Sequence, residues 1–163
     1  MLKLALVGSR GHFPYVVNGL SNLENVQLVG VSTGCDDPPD RLLQVCDQLC
    51  GITPTVHDDY VAMLDTLRPD IVCVDGPFER HAEMVIAALE RGTAVFCEKP
   101  MATTREDLER IRAAWEKAKE LGIKLGANGH DSRKIVSKIK DLEQDGYQFD
   151  VADGPLKILM QKF

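Results

Sequence analysis

The chain has no apolar run approaching the ~20 residues that a bilayer-crossing helix needs, which argues against a membrane span. Its opening, Met1-Leu-Lys-Leu-Ala-Leu-Val-Gly8, lacks the long apolar region and small-residue cleavage site of a secretory signal, and reads as a first strand. The expected compartment is the cytoplasm. No two of the five cysteines are spaced as CxxC. Cys46 and Cys50 stand four apart on an expected helix without a second ligand pair, so no metal centre is expected. Cys73 and Cys97 fall inside apolar runs, where a thiol acts as a small hydrophobe. There is no dense basic stripe either. A net charge of −6 and a pI near 5.2 argue against a nucleic-acid partner. Low-complexity segments, linkers and internal repeats are absent.

What is present is an ordinary globular composition, 44% hydrophobic and 27% charged over 163 residues, enough for one well-buried domain. Apolar runs alternate with helical patterns. Leu2–Val7 and Val26–Ser32 read as strands, separated by a helix over Tyr15–Leu23. Pro38–Leu49 places Leu42, Leu43, Val45, Cys46 and Leu49 on a helical face. A weak strand at Thr55–Val56 and a short helix at Tyr60–Leu67 follow. Ile71-Val-Cys-Val-Asp75 is apolar almost throughout, as in strands buried on both faces of a parallel sheet. Glu79–Arg91 is helical and stops at Gly92, and Ala94–Cys97 is the next strand. Thr104 with Asp107 resembles a capping box opening a charged helix to Leu121, and Lys124–Asn128 is a last short strand.

Such alternation defines an α/β fold, a Rossmann-type open parallel sheet with helices on both faces. Ligands of these sheets bind beyond the strands' carboxyl ends. The unusual polar residues fall there: Gly8–His12, Ser32–Thr33, Asp75–Phe78 and Glu98–Pro100.

Val95-Phe-Cys-Glu-Lys-Pro-Met-Ala102, with Arg68-Pro-Asp-Ile-Val-Cys-Val74 followed by Pro77 and His81, resembles the N-terminal domain of the glucose–fructose oxidoreductase and inositol dehydrogenase family (Gfo/Idh/MocA). The resemblance covers residues 1–128. It implies an oxidoreductase domain binding NAD or NADP, with Lys99 beside nicotinamide and substrate as the catalytic group. A lysine there orients a hydroxyl or polarises a developing alkoxide. It also implies cofactor contacts from Gly8, Ser9, Arg10, Gly11, His12, Ser32, Thr33, Gly76, Pro77, His81, Glu98, Lys99 and Asn128, and a turn at Pro100 that is often cis. His81 reads equally as a surface residue of a first helical turn, and Asp75 faces either the site or solvent. His12 and His57 have no partners in sequence.

The glycine loop departs from the dinucleotide fingerprint. Gly8-Ser-Arg-Gly-His-Phe13 keeps the first glycine of G-x-G-x-x-G, but Arg10 and Phe13 stand at the second and third. Two readings stay open: Gly11 provides the close backbone approach while Arg10 pairs with phosphate, or the loop has decayed and binds dinucleotide poorly. The second strand ends in Ser32-Thr33-Gly34 with no carboxylate for the adenosine ribose, which leaves NADP open.

Family members continue past the position of Asn128 into a second α/β domain, and that domain is expected to be missing here. Residues 129–163 read as a short helical tail. Asp131–Asp145 is an amphipathic helix with Ile135, Val136, Ile139 and Leu142 inward, Gly146–Gly154 is extended, and Pro155–Phe163 is a short helix or strand. The tail resembles a linker segment of citramalate synthase-type enzymes and carries no catalytic residues. Three functions follow as expectations: a dinucleotide-binding domain without a complete catalytic site, an oxidoreductase completed by a partner chain, and a non-enzymatic α/β scaffold or chimera. A homodimer is expected.

Overall fold

The computed structural model describes residues 1–123 with their side chains, and the backbone strands Leu125–Asn128, Tyr147–Val151 and Lys157–Lys162. The element order is β1 (Leu2–Val7), α1 (Phe13–Leu20), β2 (Val26–Ser32), α2 (Asp40–Cys50), α3 (Tyr60–Leu67), β3 (Ile71–Val74), α4 (His81–Leu89), β4 (Ala94–Cys97), α5 (Arg105–Lys119), β5 (Leu125–Asn128), β6 (Tyr147–Val151) and β7 (Lys157–Lys162). The sheet runs β2-β1-β3-β4-β5-β7-β6. Its first five strands pair in parallel. The expected weak strand at Thr55–Val56 is a single bridge, Val56 to Val31.

Alternation along β1 explains the layers. Leu4 and Leu6 pack with Phe13, Val17 and Leu42 from α1 and α2. Ala5 and Val7 pack on the opposite face with Met63, Val85, Ile111 and Trp115 from α3, α4 and α5. A strand buried on both faces has to be apolar at every position, and Leu4–Val7 meets this, while exposed Leu2 and half-buried Lys3 lie at the strand's open start.

In the tail, the extended stretch expected at Gly146–Gly154 contains β6, and the helix or strand expected at Pro155–Phe163 is the strand β7. Residues 131–145, the expected amphipathic helix, lie outside the described residues. The described part of the tail is strand: β7 pairs antiparallel with β5, and β6 antiparallel with β7. The sheet is therefore mixed, not wholly parallel, and β7 occupies the edge that β5 would otherwise leave unpaired.

The register decides where the loops meet. Val7 pairs with Val74, and Val74 with Cys97, so Gly8, Asp75 and Glu98 leave the sheet side by side. β1 lies between β2 and β3, so the chain moves to opposite sides of β1 in successive crossovers. That is the switch point at which open α/β sheets bind ligands.

Candidate functional site

Gly8 turns sharply. Its φ is +103°, and a Cβ there would stand 2.1 Å from the Asp75 carbonyl carbon and the Gly76 nitrogen. Only glycine lets the loops after β1 and β3 pass this closely. Its N–H donates to Ser32 O at 2.8 Å, and the Arg10 N–H donates to Asp75 O at 3.0 Å.

Asp75 is 1% exposed, which settles the choice between site and solvent: it faces α1. His12 provides no side-chain cap for that helix. Instead the Phe13 N–H donates to Asp75 Oδ2 at 2.7 Å, so a carboxylate from the end of β3 caps α1. Oδ1 lies over Gly11, whose Cβ, if present, would be 2.4 Å away. Burial, and then Glu98, push Asp75 up to about 6, against the pull of the Phe13 N–H, His81 and the Gly11 backbone.

Glu98, 3% exposed, places Oε1 3.3 Å from His12 Nδ1 and 3.8 Å from Lys99 Nζ. Lys99 is half exposed, and the Lys99–Pro100 bond is cis. His81 is fully buried, not a surface residue. Its Nδ1 is 2.8 Å from Pro100 O and its Nε2 3.0 Å from Gly76 O, so this ring joins the loops after β3 and β4. Tyr15 stacks on His12 and Phe78 meets His81 edge-on. Both aromatics are largely exposed at the rim.

The other expected residues have internal partners. Arg10 is bonded through Nε and Nη2 to Asp37 at 2.6 and 2.8 Å, and holds that carboxylate down at about 2. Ser32 Oγ accepts the Gly34 N–H, and Thr33 Oγ1 donates to Cys35 O. Ser9, also buried, presents its carbonyl to Arg41, which lies over the Phe13 ring as well. Pro77 starts the turn leading into α4. Asn128 ends β5.

Thus Gly8–His12, Asp75–Pro77, His81 and Glu98–Lys99 come together, while Ser32 and Thr33 close a neighbouring turn. Sequence reasoning missed Arg41 and the role of Phe13, whose ring fills the α1–α2 core where the fingerprint asks for glycine. It also missed Asp75 as a helix cap. Its only sequence signal was an acidic residue ending an otherwise apolar strand.

The surface suits a dinucleotide in two respects: the tight glycine turn at the switch point and a half-exposed lysine beside Glu98 at the end of β4. It resists one in a third, because the helix N-terminus that would face a diphosphate already holds a carboxylate. Among the described residues there is no group of three metal-ligating side chains, and no helix long and apolar enough to cross a membrane.

Comparison with known proteins gives the class. The model of an oxidoreductase family with an NAD-binding Rossmann fold matches residues 2–127. The chain therefore belongs to the Gfo/Idh/MocA oxidoreductase family, as its NAD-binding Rossmann domain. It is 29% identical over 123 residues to the inositol 2-dehydrogenase/D-chiro-inositol 3-dehydrogenase of Lactiplantibacillus plantarum, covering 76% of this chain and 35% of that protein. It is 28% identical over 126 residues to an inositol 2-dehydrogenase of Salmonella typhimurium, covering 77% and 35%. An oxidoreductase structure from Thermotoga maritima aligns at a TM-score of 0.73 with 32% identity, over 89% of this chain and 44% of that one. The scyllo-inositol dehydrogenase of Lactobacillus casei, solved with NAD(H) and scyllo-inositol, shares the fold at a TM-score of 0.65 and 20% identity, over 90% and 42%. The chain spans about a third of the length of the curated relatives it matches.

Proposed function

We propose that this domain holds a nicotinamide dinucleotide across the carboxyl ends of β1, β3 and β4, as the cofactor-carrying part of a polyol or sugar oxidoreductase. The observation that carries the reading is the convergence of Gly8–His12, Asp75–Pro77 and Glu98-Lys99-Pro100 at the switch point of a family sheet. Gly8–His12 would lie under the diphosphate and the end of β2 near the adenosine. When bound, the nicotinamide supplies the hydride-accepting chemistry. Lys99, half exposed beside Glu98, would donate from its ammonium to a substrate oxygen. His12 would hold Glu98 in place from the other side.

The described residues provide no second free acid or base opposite Lys99, so substrate turnover is assigned to groups outside this domain. The isolated chain is expected to bind dinucleotide and to show no reduction of NAD or NADP with polyols, sugars or sugar acids. Titration of NADH and NADPH by fluorescence tests the reading. A saturable blue shift supports it, and its absence with both favours an α/β scaffold. Robust turnover by the pure chain would instead favour an oxidoreductase site completed between copies.

Cytoplasmic residence is supported by five free cysteines. A homodimer is the proposed assembly, on the argument that β2, bridged on its outer side at Val31 by Val56, and β6 end the sheet among the described residues, and that edge strands invite pairing with another chain. Light scattering gives its mass.

A further inference from the structure

We propose that the Asp75 carboxylate is a resident anion in the diphosphate seat: ionised, it keeps a dinucleotide off the N-terminus of α1, and protonated, it yields that place. The inference rests on the dinucleotide reading and adds its control by pH.

An anion-binding helix offers free first-turn N–H groups. In α1 each is accounted for. The Phe13 N–H goes to Asp75 Oδ2 at 2.7 Å, Pro14 has none, and the Tyr15 N–H goes to His12 O at 3.0 Å. Upstream, the Gly8 and Arg10 amides are also engaged. A diphosphate can gain the Phe13 N–H only by displacing a carboxylate of its own sign. Arg10, the nearest guanidinium in the loop, is turned to Asp37.

The groups facing Asp75 come from each packed element. Glu98 at the end of β4 disfavours its charge, and His81 at the start of α4 favours it. The thiols of Cys73 on β3 and Cys97 on β4 are pushed up, by burial first and by Asp75 second. From the loop after β1, His12 is directed at Glu98, as is Lys99 from beyond β4. Deep burial pushes Asp75 up to about 6, so its charge changes within an accessible range. Binding at neutral pH then takes up about one proton.

The test is calorimetric titration of NAD+ into the full chain and into Asp75→Asn and Asp75→Ala, between about pH 5.5 and about pH 8 at fixed ionic strength. For the parent, Kd is expected to weaken about tenfold or more over this range, with proton uptake visible across buffers of different ionisation enthalpy. Asp75→Asn is expected to bind with little pH dependence, and about tenfold tighter than the parent near pH 8. Circular dichroism confirms the fold. If both variants fail to fold, the parent decides alone: a flat Kd without proton uptake overturns the proposal. Equal, pH-independent binding by parent and variants overturns it while leaving the dinucleotide reading intact. No binding of NAD+ or NADP+ by any form at any pH overturns both.

Discussion

His12 Nδ1 stands 3.3 Å from Glu98 Oε1, and the contact ties the loop after β1 to the loop after β4. Lys99 Nζ reaches the same oxygen at 3.8 Å. Because Glu98 is 3% exposed, removing its carboxylate deprives a partly buried imidazole of its partner. Glu98→Ala is expected to lower stability by about 1–3 kcal/mol in urea unfolding, and Glu98→Gln by less. No change for either would mean that the contact contributes nothing to the site's rigidity.

Asp75 has a sign that can be checked. Its folded value, about 6, lies above the ordinary carboxylate value, so the native state holds a proton that the unfolded chain has released. The stability this gives is complete below about pH 4 and is lost as pH rises through about 6. Ionised Asp75 therefore costs on the order of 2–3 kcal/mol at neutral pH. Asp75→Asn is expected to raise the melting temperature near pH 8 and to flatten the pH dependence between about 4 and 6. An unchanged profile would show that Asp75 titrates at an ordinary value.

Gly11 sits between the two acids. A Cβ there would lie 2.4 Å from Asp75 Oδ1 and 3.1 Å from Glu98 Cγ. Gly11→Ala is expected to destabilise by about 1–3 kcal/mol even without ligand. Combined with Asp75→Ala it should recover about 1 kcal/mol or more, because one residue relieves the clash of the other. Strict additivity in this double-mutant cycle would place the side chains apart. A substitution at Gly11 thus perturbs packing as well as phosphate contact, and loss of binding in a Gly11 variant does not by itself locate the diphosphate.

Thr104 caps α5: its Oγ1 accepts the Asp107 N–H at 3.0 Å and donates to Asp107 Oδ2 at 2.8 Å. Thr104→Ala is expected to cost about 1 kcal/mol in thermal or urea unfolding, and Thr104→Ser much less. Equal melting of parent and alanine variant would deny the cap any share in stability.

The elements that could be read from sequence are those whose cause is local. β1, β2 and β4 coincide with their apolar runs, and α3 begins after the capping carboxylate of Asp59. α1 starts at Phe13, two residues before the periodic stretch at Tyr15, because Pro14 is tolerated in a first turn. What escaped is non-local. Asp75 caps a helix 62 residues earlier in the chain, and nothing at N-cap spacing from α1 points to it. His81 is buried because two carbonyls, Gly76 O and Pro100 O, flank its ring, and no pattern around position 81 encodes them. Arg41 reaches Ser9 and Gly11 from α2. The meeting of Gly8, Asp75 and Glu98 follows from strand register, which alternating apolar runs do not specify.

The most direct measurement is an amide NMR titration of the chain with NAD+ near pH 6, where half of Asp75 is protonated at its raised value. Saturable shifts are expected at Gly8–His12, Phe13, Asp75–Gly76 and Glu98–Lys99. None is expected at Arg68, Asp70 and Thr93, which lie at the opposite ends of the strands. Shifts confined to that opposite end, or no shifts at millimolar NAD+ or NADP+, would contradict a dinucleotide site at the carboxyl ends of β1, β3 and β4.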